Sequence, residues 1–211
     1  MTGELRRGVY AITDCVNLPF PSVLEVCRIV LDCGAVALQY RDKHAGTEER
    51  RERAQALHSL CCACSAPLII NDDPTLAAEV GAEGVHLGAE DPACRSARTL
   101  VGPQSSIGVS CYASIETART AVADGANYVA FGAFFPTGTK LPRARPTPEI
   151  LARAKAELSV PVVAIGGITP DNAGALLAAG ADLLAVVGAL FSAPDPAATM
   201  KEFARILTEH A

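Results

Sequence analysis

Tyr128-Val-Ala-Phe-Gly-Ala-Phe-Phe135, closed by Pro136, is a short run whose members are nearly all apolar. A strand that is apolar on both faces is buried on both, as strands of a parallel sheet are. Directly behind it stand Thr137-Gly138-Thr139-Lys140. Two hydroxyls, a flexible glycine and an ammonium delivered to one place suit a phosphate ester.

Working outward, the same kind of run recurs at 9–13, 35–41, 68–71, 84–88, 106–110, 162–166 and 183–190, which with 128–134 makes eight strand candidates. Segments with helical spacing lie between them. Val23, Cys27, Val30 and Leu31 trace one helix stripe, and Met200, Phe203, Ala204 and Leu207 trace another. Asp32-Cys-Gly34-Ala35, Glu79-Val-Gly81-Ala82, Asp124-Gly125-Ala126 and Ala179-Gly180-Ala181-Asp182 repeat one phrase before strands, a glycine that stops a helix and a small residue that enters the sheet. Ser114 and Thr169 are placed to cap helices, the latter with Pro170 behind it. Eight strand–helix units in 211 residues predict an α/β chain folded as a single-domain (β/α)₈ TIM barrel over 1–211, with a doubly wound open sheet as the alternative. The proline-rich 141–148 reads as an exposed loop.

Composition narrows the function. A net charge of −5 with no basic stripe excludes a nucleic-acid surface. No apolar window approaches a membrane span and the N-terminus lacks a signal-peptide run, so the expectation is a cytoplasmic protein. Eight cysteines in that reducing compartment read as free thiols. Cys61 and Cys64 have a C-x-x-C spacing, but they share a helical face with Ala54 and Leu57, and packing is the reading adopted.

In a barrel the chemistry sits at the C-terminal strand ends. Gln39, Arg41 and Lys43, spaced by two at the end of the second run, converge on that mouth if the strand persists; a surface ion-pair ladder is the plainer reading. The third run ends Asn71-Asp72-Asp73-Pro74, where Asp73 caps the next helix and Asp72 is a metal candidate. Asp91, after the fourth run, is the second metal candidate or else a helix cap before Pro92. Two hard carboxylates on adjacent strands would hold Mg²⁺ with waters left to exchange for phosphate oxygens. His86, between apolar neighbours, reads as a hydrogen-bonded core histidine. Gly166-Gly167 and Gly188 complete an anion cradle on the last strands. Two anion sites, one with metal, imply two phosphorylated substrates or one molecule with two phosphates.

With these residues assembled, the chain resembles the thiamine phosphate synthase family. The resemblance rests on an ordered set: Tyr10-x-x-Thr13-Asp14, Gln39-Tyr-Arg41-Asp-Lys43, Ile69-Ile-Asn71-Asp72, Gly84-Val-His-Leu-Gly88 with Asp91, Ile107-Gly-Val-Ser110, Phe135-Pro-Thr-Gly-Thr-Lys140 and Val163-Ala-Ile-Gly-Gly-Ile168. It implies a (β/α)₈ transferase that joins a pyrimidine diphosphate to a thiazole phosphate and releases pyrophosphate. It further implies that Gln39, Arg41, Lys43, Asn71, Ser110 and Lys140 hold the pyrimidine diphosphate and that Asp72 and Asp91 bind Mg²⁺. Thr137, Thr139, Gly167, Val187 and Gly188 are implied to hold the thiazole phosphate, and a homodimer follows from the resemblance alone. Arg41, Lys43 and Lys140 would carry the catalytic charge stabilisation. Three departures stand out: Gly188 where serine is common, Tyr40 and Asp42 between the second-strand ligands, and Cys111-Tyr112 where Thr-His is common. The rivals are a thiazole tautomerase on the same barrel and a silent barrel that binds a thiamine precursor.

Overall fold

The computed structural model describes residues 5–89, 91, 93–136 and 145–210. In chain order the elements are β1 (Gly8–Ile12), α1 (Phe20–Asp32), β2 (Ala37–Tyr40), α2 (Thr47–Ala63), β3 (Leu68–Asn71), α3 (Pro74–Val80), β4 (Gly84–Leu87), α4 (Cys94–Val101), β5 (Ser106–Tyr112), α5 (Ile115–Ala123), β6 (Tyr128–Gly132), α6 (Glu149–Glu157), β7 (Val162–Ile165), α7 (Pro170–Ala178), β8 (Leu183–Val186), α8 (Gly188–Phe191) and α9 (Pro196–Glu209). Each strand pairs in parallel with the next, and β8 pairs in parallel with β1. The closed eight-stranded barrel excludes the open doubly wound sheet.

Alternation along the strands divides the apolar residues into two cores. Tyr10, Ile12, Ala37, Ile69, Tyr128, Ala130, Val163, Leu183 and Ala185 pack inside the barrel. Their strand neighbours, such as Val9, Leu38, Ile70, Val129 and Leu184, pack outward with the helices. Gly108 is a fitting requirement of the interior, because a Cβ there would lie 1.9 Å from Cζ of Tyr128. The missing side chain on β5 is what admits the Tyr128 ring to the lumen.

The helix faces follow the spacing. Val23, Cys27, Val30 and Leu31 are the buried face of α1. Full burial of such a side chain contributes about 1.5–3 kcal/mol before chain entropy is counted, so a charged residue at Val30 would break the contact of helix and barrel. On α9 the buried face is Met200, Phe203 and Ile206, which replaces the expected Ala204. The four helix-stop glycines, Gly34, Gly81, Gly125 and Gly180, all have φ between 72 and 107°, a region costly for a residue with a Cβ. Ser114 caps α5 by accepting from the Thr117 amide at 3.1 Å. The eight cysteines are free thiols, and burial pushes Cys111 up to about 12 and Cys15 up to about 11, which leaves both unreactive.

At the N-terminal rim, polar side chains take over the amides of strand starts. Glu83 Oε2 accepts from Leu68 N at 2.8 Å, Asn127 Oδ1 from Ile107 N at 2.9 Å, and Asp182 Oδ2 from Val162 N at 2.8 Å. Asp182 also pairs with Lys155 at 2.9 Å. Among the described residues no helix is long and apolar enough to cross a membrane.

Candidate active site

The inward register that fills the barrel also aims the polar residues at its C-terminal mouth. Gln39 pairs in register with Ile12 and Ile69, Asn71 with His86, and Ser110 with Ala130. Strand β2 ends at Tyr40, so Arg41 and Lys43 lie in the loop beyond it. That loop is held on two sides. The Thr13 hydroxyl accepts from Arg41 N at 2.9 Å and donates to Arg41 O at 3.1 Å. Asp42 turns away from the mouth and is buried, accepting from His44 N, Ala45 N and Arg53 Nη1 at 3.0, 3.1 and 2.6 Å. Burial pushes its carboxyl up, but the two amides and the guanidinium outweigh this and hold it below the usual range.

Asp72 follows Asn71, and a strand continued in regular pleat would turn it away from the barrel axis. Instead its φ is +67°, a left-handed conformation that aspartate tolerates better than most residues. Its amide donates to His86 O at 2.8 Å, and its carboxylate meets Lys43 Nζ at 3.0 Å and the carboxyl of Asp91. Asp91 Oδ2 accepts from Gly88 N at 2.6 Å. Asp91 is not the cap of α4, a position held by Ala93, whereas Asp73 does cap α3, accepting from Leu76 N at 2.9 Å.

The two carboxyls in contact divide their titration. Burial pushes both up; for Asp72 the Lys43 ammonium more than reverses this and lowers it, whereas Asp91, facing Asp72, stays raised. Two carboxylates this close favour a shared proton or a cation between them. Two hard oxygen donors beside an open mouth fit a divalent ion such as Mg²⁺.

The other side of the mouth is built by β6 and β7. Phe134 N donates to Ile165 O at 3.1 Å and Phe135 N to Gly166 O at 3.0 Å, so the chain leaving β6 lies across the exit of β7. Gly166 and Gly167 permit this: a Cβ on Gly166 would come within 2.3 Å of Ala133 Cβ, and one on Gly167 within 2.6 Å of Pro136 O. Thr137, Thr139 and Lys140 lie outside the described residues. The eighth strand stops at Val186, shorter than the expected run to 190, and Gly188 opens the short helix α8. Among the described residues nothing lies within 4 Å of where a Gly188 side chain would project. Loops after the seventh and eighth strands together with a short extra helix are where barrels hold phosphate.

His86 is buried and hydrogen-bonded, with Nδ1 3.0 Å from the Tyr128 hydroxyl and Nε2 2.9 Å from Ser110 Oγ. Burial pushes it down to about 4, against the pull of Asp72, so the ring is neutral. Tyr112, beyond a bulge in β5, has φ +54° and brings its hydroxyl to 3.9 Å from where a Cβ on Gly88 would lie, with Asp91 Oδ2 at 3.2 Å from the same point. The roles of Thr13 and Asp42 escaped the sequence reading. A buried aspartate two and three residues before the amides it accepts is a turn signal that could have marked Asp42.

Gln39, Lys43, Asn71, Asp72, Asp91 and Ser110 thus gather at the same barrel end as Gly167, Val187 and Gly188. A closed (β/α)₈ barrel that gathers acids, a cation and glycine-lined strand exits at its C-terminal mouth has the arrangement of a barrel enzyme. Residues 9–190 match the family model described as thiamine monophosphate synthase. A thiamine-phosphate synthase of Xanthomonas campestris is 50% identical over 197 residues, 93% of this chain and 94% of that one. Another, of Saccharophagus degradans, is 51% identical over 189 residues, 89% of this chain and 87% of that one. Among solved structures, thiamine phosphate pyrophosphorylase from Pyrococcus furiosus superposes with a TM-score of 0.86 at 35% identity, covering 96% of each chain. A geranylgeranylglyceryl phosphate synthase from Thermoplasma acidophilum, TM-score 0.72 at 16% identity, shares the fold alone. The chain belongs to the thiamine monophosphate synthase family and is a transferase.

Proposed function

We propose that the chain condenses 4-amino-2-methyl-5-(diphosphooxymethyl)pyrimidine with 4-methyl-5-(2-phosphoethyl)thiazole to give thiamine phosphate and pyrophosphate. The observation that carries this reading is the Lys43–Asp72–Asp91 constellation, set at the same end of the barrel as the glycine exits of β7 and β8. A diphosphate suits the first group and a phosphate monoester the second.

In this reading the C–O bond between the pyrimidine methylene and the diphosphate breaks first, and the electron pair leaves with pyrophosphate. The aminopyrimidine stabilises the resulting methylene cation, and the thiazole nitrogen supplies the pair that forms the new C–N bond. No protein nucleophile is needed. Arg41, Lys43 and Lys140 stabilise the departing charge, while Gln39, Asn71 and Ser110 orient the pyrimidine. Asp72 and Asp91 would hold Mg²⁺, which supplies charge neutralisation to the diphosphate when bound. Thr137, Thr139, Gly167, Val187 and Gly188 hold the thiazole phosphate. The buried floor of the mouth keeps away water that would quench the cation.

The test is pyrophosphate release from the pyrimidine diphosphate with Mg²⁺, with and without the thiazole phosphate. Release that requires the thiazole supports the synthase. Conversion of a thiazole tautomer without pyrophosphate, or binding without turnover, would replace it by a tautomerase or a silent binder.

A further inference from the structure

Five buried or half-buried side chains from five strands form one unbroken line of hydrogen bonds under the mouth. Gln39 Nε2 on β2 donates to the Tyr10 hydroxyl on β1 at 2.7 Å. The Tyr10 and Tyr128 hydroxyls are 3.0 Å apart, between β1 and β6. The Tyr128 hydroxyl is 3.0 Å from His86 Nδ1 on β4, and His86 Nε2 is 2.9 Å from Ser110 Oγ on β5. The rings interlock as well: Tyr10 and Tyr128 meet edge to face with centroids 6.0 Å apart, and His86 stacks on Tyr128 at 5.6 Å. The line therefore crosses the barrel and ends, on both sides, in a residue already assigned to the substrate.

The line has a direction. An amide nitrogen can only donate, so the Tyr10 oxygen accepts from Gln39 and its own hydrogen is left for Tyr128. Among the described residues Tyr128 has His86 Nδ1 as its remaining partner, which puts the Tyr128 hydrogen on that bond and makes Nδ1 the acceptor. The imidazole hydrogen is then on Nε2 and is donated to Ser110 Oγ, and the Ser110 hydrogen is free to point into the mouth. At the other end, Gln39 Oε1 is the half of the amide left to accept from a ligand.

We propose that Tyr10, Tyr128 and His86 are positioning residues that fix Gln39 as an acceptor and Ser110 as a donor, so that the mouth selects a ring with a donor at one end and an acceptor at the other. An aminopyrimidine meets that demand with its exocyclic amine and the ring nitrogen across from it. The inference rests on the synthase reading and extends it from the two terminal residues to the three that connect them. Tyr128 and Tyr10 touch no substrate; they act by holding each hydrogen in one place along a low-dielectric line.

The experiment compares Tyr128→Phe, Ser110→Ala and the double variant, with calorimetric binding of the pyrimidine diphosphate and the KM of each substrate as readouts. Phenylalanine keeps the ring that fills the space above Gly108 and removes only the link. The expected result is a rise of about tenfold in Kd and KM for the pyrimidine diphosphate in each single variant, with the KM of the thiazole phosphate unchanged. Ser110→Ala should cost markedly less in the Tyr128→Phe background, since the serine hydrogen is then no longer directed; residues not in contact would otherwise show additive losses. Tyr10→Phe should reproduce the Tyr128→Phe phenotype if either tyrosine proves too damaging to the fold alone, as judged by melting. Unchanged pyrimidine affinity in both folded tyrosine variants, additive losses, or equal losses for both substrates would overturn the relay. If the wild-type protein neither binds the pyrimidine diphosphate nor releases pyrophosphate, the synthase reading fails instead.

Discussion

The two rims of the barrel use the same residue types to opposite ends. At the N-terminal rim Glu83, Asn127 and Asp182 each accept from a backbone amide within the first two residues of a neighbouring strand. At the C-terminal rim Asp72 and Asp91 face one another, with Lys43 beside them. A carboxylate satisfied by backbone amides stabilises the fold; one that faces a second carboxylate favours a shared proton or a cation. Left-handed non-glycine backbone does not separate the rims in the same way, since it occurs at Asp72 and Tyr112 at the C-terminal strand ends and also at Ser65 between α2 and β3. Local strain of this kind persists where surrounding structure holds it.

The sharpest way to break the comparison is at the mouth. Asp91→Asn keeps the shape of the side chain and its contact with Gly88 but weakens the hard-anion pair. Its kcat for pyrophosphate release should fall on the order of 10³-fold, as steady-state kinetics would read, while its thermal midpoint holds. An unchanged kcat would remove Asp91 from the metal pair.

Between the rims, His86 links stability to pH. Its folded value of about 4 lies below the ordinary 6.5, so the unfolded chain takes up this proton first as pH falls. Stability from this source is complete above pH 6.5 and is lost as pH drops toward 4, by about 3 kcal/mol. Urea melts of wild type and His86→Gln across that range should show a steeper acid loss in the wild type by about this amount. Parallel profiles would mean that the ring is not held neutral.

The smallest effect is expected at the open glycine of the phosphate side. Gly188→Ser introduces the hydroxyl that the resemblance leads one to expect, at a position with no neighbour within 4 Å among the described residues. The KM of the thiazole phosphate should fall by about threefold through one added hydrogen bond, with stability unchanged. A raised KM would show that the space is needed by the ligand itself.

The contrast between the rims was only half legible in the chain. Short runs apolar on both faces and the repeated glycine stops revealed the barrel because they are local, and the mouth residues Gln39, Asn71 and Ser110 followed from strand ends. The N-terminal rim was hidden, because Leu68 meets Glu83 across 15 residues and Val162 meets Asp182 across 20. No spacing rule links an acid to a distant strand start. The sequence singles out Asp72 as a metal candidate, but the left-handed turn that brings it beside Lys43 and Asp91 depends on the loop around it. His86 was read as a core residue without its tie to Ser110, which exists only once β4 and β5 are side by side.

Turnover and melting temperature measured together on Asp72→Ala and Asp182→Ala test the division of the two rims most directly. If chemistry belongs to one rim and stability to the other, Asp72→Ala loses pyrophosphate release on the order of 10³-fold and melts within a few degrees of wild type. Asp182→Ala, which strands the Val162 amide, should lose about 2 kcal/mol and melt about 6 °C lower with kcat intact. An Asp72→Ala protein that still turns over, or a folded Asp182→Ala protein that does not, would contradict it.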